Sequence, residues 1–114
     1  MMARVALLCP DLLFGSKVEG ALRAAGHEVD RYDAPEPARA ATGDHDVLVV
    51  DLNAPEYDGP EVGRGVTTVP AVGFYSHVDQ ATRRRAEDAG FSVVVPRSRM
   101  ARETAGVVEG ALAA

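Results

Sequence analysis

Val47-Leu48-Val49-Val50-Asp51-Leu52-Asn53-Ala54-Pro55-Glu56-Tyr57-Asp58-Gly59 decides how this chain folds. Four apolar residues run into a carboxylate, and turn-forming residues follow at once. A continuous Val/Leu run reads as a strand buried on both faces, which points to a parallel sheet. Asp51 then stands where that strand leaves the sheet at its C-terminal end. In open α/β sheets this edge is where ligands bind and chemistry is done.

The same logic extends in both directions. Residues 46–51 form one strand, and further strands are expected over 5–9, 28–32, 71–75 and 92–95. The strand at 28–32 surrounds Val29 with acidic and basic residues, which suits a sheet edge. Phe14, Val18, Leu22 and Ala25 recur at helical spacing and define a core stripe. Asp11 stands at the N-cap of that helix, and Gly26 stands at its stop. Residues 35–41 are Ala-rich and form a weak helix at most. Pro60, Gly63 and Gly65 make 59–70 poor for helix, so a third helix should be short or absent. Asp79 caps a helix that runs to Ala89 and ends at Gly90. Met100, Thr104, Val107, Val108, Ala111 and Leu112 give a terminal helix its apolar face. Strand and helix alternate five times. That pattern implies a single α/β domain over residues 1–114, a doubly wound parallel sheet with right-handed crossovers.

Bulk properties narrow the function classes. The chain has 114 residues, enough for one domain. Hydrophobic residues at 46% and charged residues at 25% give an ordinary soluble globular balance. A net charge of -5 argues against general nucleic-acid binding. The charge is uneven: six Arg between Thr82 and Arg102 face only Glu87 and Asp88, a local balance of +4, so the other residues sum to -9. One Cys excludes an internal disulfide and fits a reducing cytosol. The apolar run 5–8 is too short for a signal h-region or a membrane span. A cytoplasmic protein without membrane association is expected.

The chain resembles a response-regulator receiver domain over almost its whole length. The most specific part is Asp51-Leu52-x-x-Pro55-x-x-Asp58-Gly59, which is similar to the turn after the family's phosphorylated aspartate. Val69-Pro70-Ala71-Val72-Gly73-Phe74-Tyr75-Ser76-His77 resembles the family's fourth strand, and Glu87-Asp88-Ala89-Gly90 the end of its fourth helix. The resemblance implies a flavodoxin-like sheet in strand order 2-1-3-4-5, with two helices on one face and three on the other. It also implies a signalling module, in which Mg²⁺-assisted phosphoryl transfer onto the aspartate shifts the face made by strand five and the last two helices.

Carried over singly, the functional positions are only partly kept. The phospho-acceptor position falls on Asp51, and the metal-supporting carbonyl two residues later on Asn53. The acidic pair after strand one falls on Cys9 and Pro10, with Asp11 one step further, where helix capping engages it. The hydroxyl position that reads the phosphoryl group falls on Tyr75, with Ser76 beside it. The lysine position of strand five falls on Arg97, and the switch aromatic on Val94. Mg²⁺ prefers near-octahedral oxygen coordination, and phosphoryl transfer relies on it to neutralise charge. With one carboxylate in place of three, metal affinity should fall. Arg97 is expected to pair with Asp51 in a bidentate manner.

Other candidates weigh less. Cys9 and His77 share the C-terminal edge, but no oxyanion or specificity motif accompanies them, and Cys9 reads best as a small buried hydrophobe. His27 and His45 fall in turns and are expected to be solvated; three scattered His give no metal-ligand spacing. Gly63 and Gly65 lack a strand–helix context for a phosphate loop, and Phe14-Gly15-Ser16-Lys17 lacks its spacing. The run Arg83-Arg84-Arg85 is usually a solvated helix face. With Arg99 and Arg102 expected nearby, it suggests a surface for an acidic protein patch.

The leading reading is a non-enzymatic, cofactor-free signalling or scaffold module that binds a protein partner, or a second copy of itself, independently of phosphorylation. One alternative is a Mg-dependent phospho-acceptor at Asp51. Another is a flavodoxin-like module binding nucleotide or a small anion at the strand ends, against which the few aromatics and the missing glycine fingerprint count.

Overall fold

The computed structural model describes residues 2–114. Five strands, β1 (Arg4–Leu8), β2 (Glu28–Tyr32), β3 (Val47–Asp51), β4 (Ala71–Tyr75) and β5 (Val93–Pro96), pair in parallel in the order β2-β1-β3-β4-β5. β1, β3 and β4 are the central strands, and every residue of β3 and β4 is buried. That burial is why their sequences show no polar alternation.

The strands leave alternate side chains on two cores. On one face Val5, Leu7, Val47, Val49, Val72, Phe74 and Val95 meet α1 (Leu12–Ala24), α5 (Arg97–Arg102) and α6 (Thr104–Ala113). On the other, Ala6, Leu8, Leu48, Val50, Ala71 and Tyr75 meet α2 (Pro35–Ala41), α3 (Gly59–Val62) and α4 (Gln80–Asp88). Each fully buried Val or Leu contributes about 1.5–3 kcal/mol of hydrophobic stabilisation. α3 has only 4 residues, with Pro60 in its first turn and Gly63 at its C-cap. Gly59, at its first position, cannot carry a side chain, because a Cβ there would meet the Leu52 backbone oxygen at 2.5 Å.

Three expectations need correction. The terminal helix is two helices, and Glu103 between them has left the helical region at φ -127, ψ 36. The Thr104 hydroxyl donates to the Met100 carbonyl at 2.6 Å, and such back-bonding bends helices. The faces therefore carry three helices each. Ala25 is exposed and lies at the C-cap of α1, outside the core stripe. His27 and His45 are buried at 3% and 8% exposure, although both precede strands in turn-like sequence. Partners distant in the chain enclose them. His27 Nδ1 accepts from the Ala3 N–H at 3.1 Å and Nε2 meets Glu109 at 2.8 Å. His45 Nε2 meets Asp30 at 2.8 Å.

Candidate functional site at the C-terminal edge of the sheet

The strand period of two decides which residues meet. Leu7, Val49, Phe74 and Val95 all face α1 and α5. Two residues on from each lie Cys9, Asp51, Ser76 and Arg97, so these four stand over the same face at the sheet's C-terminal edge. Tyr75 is one residue out of this phase. It is buried in the opposite core with Leu8 and Val50, and does not take the hydroxyl position expected of it.

Asp51 is 3% exposed and its carboxylate is held from several directions. The Asn53 backbone N–H donates to Oδ1 at 3.1 Å. Arg97 Nη1 lies 3.4 Å from Oδ2. The Cys9 thiol lies 3.8 Å from Oδ2. The second guanidinium nitrogen of Arg97 donates to Asp11 Oδ2 at 2.8 Å. Arg97 therefore bridges two carboxylates with one nitrogen each, and is not bidentate on Asp51. The reason is that Asp11 competes for the fork. Its other oxygen accepts the Phe14 N–H at 3.0 Å, so capping fixes the Asp11 carboxylate beside the bridge. The Phe14 N–H, followed by the Arg97 charge, holds the Asp11 carboxyl below the usual carboxylate range. The Arg97 guanidinium also stacks over the Phe14 ring at 4.1 Å from its centroid, with Phe74 behind at 5.7 Å.

Burial, then the Asp51 charge, push the Cys9 thiol up to about 11. A thiol in that state is a poor nucleophile at neutral pH. His77 is exposed and makes no hydrogen bond to Cys9.

A second set of bonds runs from Asp51 towards α4. The Asn53 side chain accepts the Ser76 N–H at 2.6 Å and donates to Asp79 Oδ2 at 2.8 Å. Asp79 caps α4 through the Thr82 N–H at 3.1 Å and the Thr82 hydroxyl at 2.6 Å. Asp51 thus lies within one network that includes the N-caps of α1 and α4 and the first residue of α5. The sequence reading singled out Asp79 only as a cap and left out Tyr57. The Tyr57 hydroxyl donates to the carbonyls of Asp51 at 3.0 Å and Leu8 at 3.3 Å, tying the ends of β3 and β1. An aromatic six residues past a buried strand, within a turn, is the signal that could have marked it. A depression of about 340 Å³ opens above Asp51, between Pro10, Asp11, Asn53, Pro55, Glu56 and Arg97. Among the described residues no group of three or more His, Cys, Asp or Glu side chains is arranged to hold a metal ion.

The basic residues are separated by edge strand β5. Arg83, Arg84 and Arg85 lie on α4, over one face, and Arg99 and Arg102 on α5, over the other. Arg85 holds Asp58 at 2.7 and 2.9 Å. Arg83 lies 3.4 Å from Glu87, and Glu103 is reached by Arg99 at 3.7 Å and Arg102 at 3.4 Å. Arg84 is exposed and makes no ion pair within the described residues.

Receiver domains are among the solved structures that this chain superposes on over nearly its whole length. The chain has the response-regulator receiver fold. It superposes on a response regulator from Thermotoga maritima with a TM-score of 0.82 at 14% identity, each chain covered over 100% of its length. The receiver domain of a sensor histidine kinase from Pseudomonas aeruginosa PAO1, solved with magnesium in its active-site cleft, gives 0.84 at 16% identity, again over 100% of both chains. NtrX from Brucella abortus gives 0.84 at 22% identity over 99% of this chain, which spans 27% of that one. No protein-family model matches the sequence. No curated protein matches it either.

Proposed function

We propose that this receiver-fold chain is a signalling module that acts by binding another protein, without phosphorylation of Asp51 and without catalysis of its own. The observation that carries this reading is the Arg97 bridge, 3.4 Å from Asp51 and 2.8 Å from Asp11. A fixed organic cation stands between the two carboxylates that a metal would have to share. The remaining donors fit magnesium poorly: Cys9 offers a thiol and Pro10 no side-chain donor, whereas Mg²⁺ takes hard oxygen ligands in near-octahedral geometry. Asp51 without the metal repels an incoming phosphoryl group, and the electrostatic support for transfer is lost. Incubation with acetyl phosphate and Mg²⁺, followed by intact-mass measurement, is expected to leave the chain unmodified. A saturable phosphoryl adduct on Asp51 would return the module to the phospho-accepting class.

The partner surface proposed is the β5 edge with its flanking helices, and the partner an acidic protein patch. Among the described residues Arg84 has no ion-pair partner there, and Arg102 carries the more exposed side chain of the α5 pair at 68% against 53% for Arg99. Exposed pairs such as Arg102–Glu103 cost little to exchange for an intermolecular one. Reversing Arg84 and Arg102 to Glu is expected to weaken partner capture at least tenfold while leaving the unfolding midpoint within error. Undiminished capture would move the interface elsewhere. No helix among the described residues is long and apolar enough to cross a membrane, and the cytoplasm is the compartment proposed.

A further inference from the structure

The buried His45 ring faces acceptors only. Nδ1 lies 2.7 Å from the Ala41 carbonyl at the end of α2 and 2.7 Å from Asp44 Oδ1 in the 3-10 turn Thr42–Asp44. Nε2 lies 2.8 Å from Asp30 Oδ2 on β2. A neutral imidazole carries one N–H and one lone pair. Either neutral tautomer therefore turns a lone pair onto an acceptor oxygen. A proton on the carboxylate instead is disfavoured, because an ordinary carboxyl has a pKa about 2–3 below that of imidazole. His27 makes the contrast: its Nδ1 receives the Ala3 N–H, so that ring needs only one proton.

We infer that His45 is a doubly protonated latch that fastens the α2–3-10 segment to β2, and that its deprotonation releases that segment. The groups around the ring are Asp30 on β2, Asp44 in the 3-10 turn, Arg4 on β1, and Tyr32 on β2, whose ring centroid is 6.5 Å away. Arg4 shares both acids, 3.8 Å from each, and its backbone N–H donates to Asp46 at 2.7 Å. The two cations, imidazolium and Arg4, thus share two carboxylates, Asp30 and Asp44, so the imidazolium charge is matched. Burial pulls the ring's proton affinity down, but Asp30, the Ala41 carbonyl and Asp44 outweigh it and the shift from 6.5 is upward. A raised folded-state value means the latch contributes its full stability below about pH 6.5 and loses it as pH rises through that folded value. The loss is local, at the acidic edge of the sheet and away from Asp51.

Ring ¹⁵N NMR on the intact chain tests this. At pH 6.5 His45 should be predominantly the doubly protonated ring, with an N–H on both nitrogens. Raising the pH should convert His45 to a neutral ring and speed amide exchange over 38–45 beyond the intrinsic base catalysis. The variant Asp30→Asn should titrate at lower pH, and His45→Gln should abolish the pH-dependent part of that exchange. A lone-pair nitrogen on His45 at pH 6.5, or segment exchange that tracks intrinsic catalysis alone, would overturn the latch.

Discussion

Arg97→Ala is expected to lower the unfolding free energy by about 1–3 kcal/mol, although Arg97 lies at the surface end of a helix. The substitution strands Asp51, which is 3% exposed, with one backbone N–H and a thiol for company. Breaking a fully buried ion pair costs about 3–5 kcal/mol. Here the Arg97 side chain is 34% exposed, so water enters and part of that cost is recovered. Removing Asp51 as well should be non-additive, with a coupling of about 1 kcal/mol or more between the two sites, because residues in one hydrogen-bonded pair share their loss. Urea unfolding at constant m-value reads both numbers. Strict additivity would mean that the bridge is a surface contact without structural weight. Arg97→Lys should recover only part of the loss, since an ammonium cannot span two carboxylates as a fork does.

Phe74→Ala is expected to be the most damaging single change near the site, at about 3–5 kcal/mol. Phe74 is the largest fully buried side chain, and its ring centroid lies 5.0 Å from that of Phe14. Such an aromatic pair contributes about 0.5–1.5 kcal/mol beyond the area it buries. The two rings also form the floor on which the Arg97 guanidinium rests. Losing Phe74 should therefore loosen Arg97 as well as the core, seen as faster exchange of the Arg97 Nε–H. Phe74→Leu keeps most of the volume and should retain that signal. Loss of stability with an unchanged Arg97 signal would separate the core from the bridge.

Much of the fold was legible because its signals are local. β3 and β4 are uninterrupted apolar runs, Asp11 and Asp79 are helix caps, and Gly26 and Gly90 adopt the positive φ expected at helix ends, +95 and +100. Alternation pointed to a doubly wound parallel sheet, the resemblance implied its strand order, and the pairing bears both out. What escaped depends on partners far apart in sequence. His27 and His45 look like solvated turn residues until Glu109 and Asp30 are brought to them across 82 and 15 residues. Asp11 reads as a cap, which it is, but its second oxygen meets Arg97 86 residues away. That contact turned an expected bidentate pair into a three-residue bridge. Tyr75 was misplaced by a single step of the strand period, enough to send a side chain to the opposite core.

The guanidinium of Arg97 is proposed to stand where a divalent cation would be held. A Mg²⁺ titration followed by the amide resonances of Asp51 and Asn53 tests it most directly. With Arg97 in place, no saturable shift is expected in the native chain over the millimolar range. A saturating perturbation of those two amides, with Arg97 still in place, would contradict it.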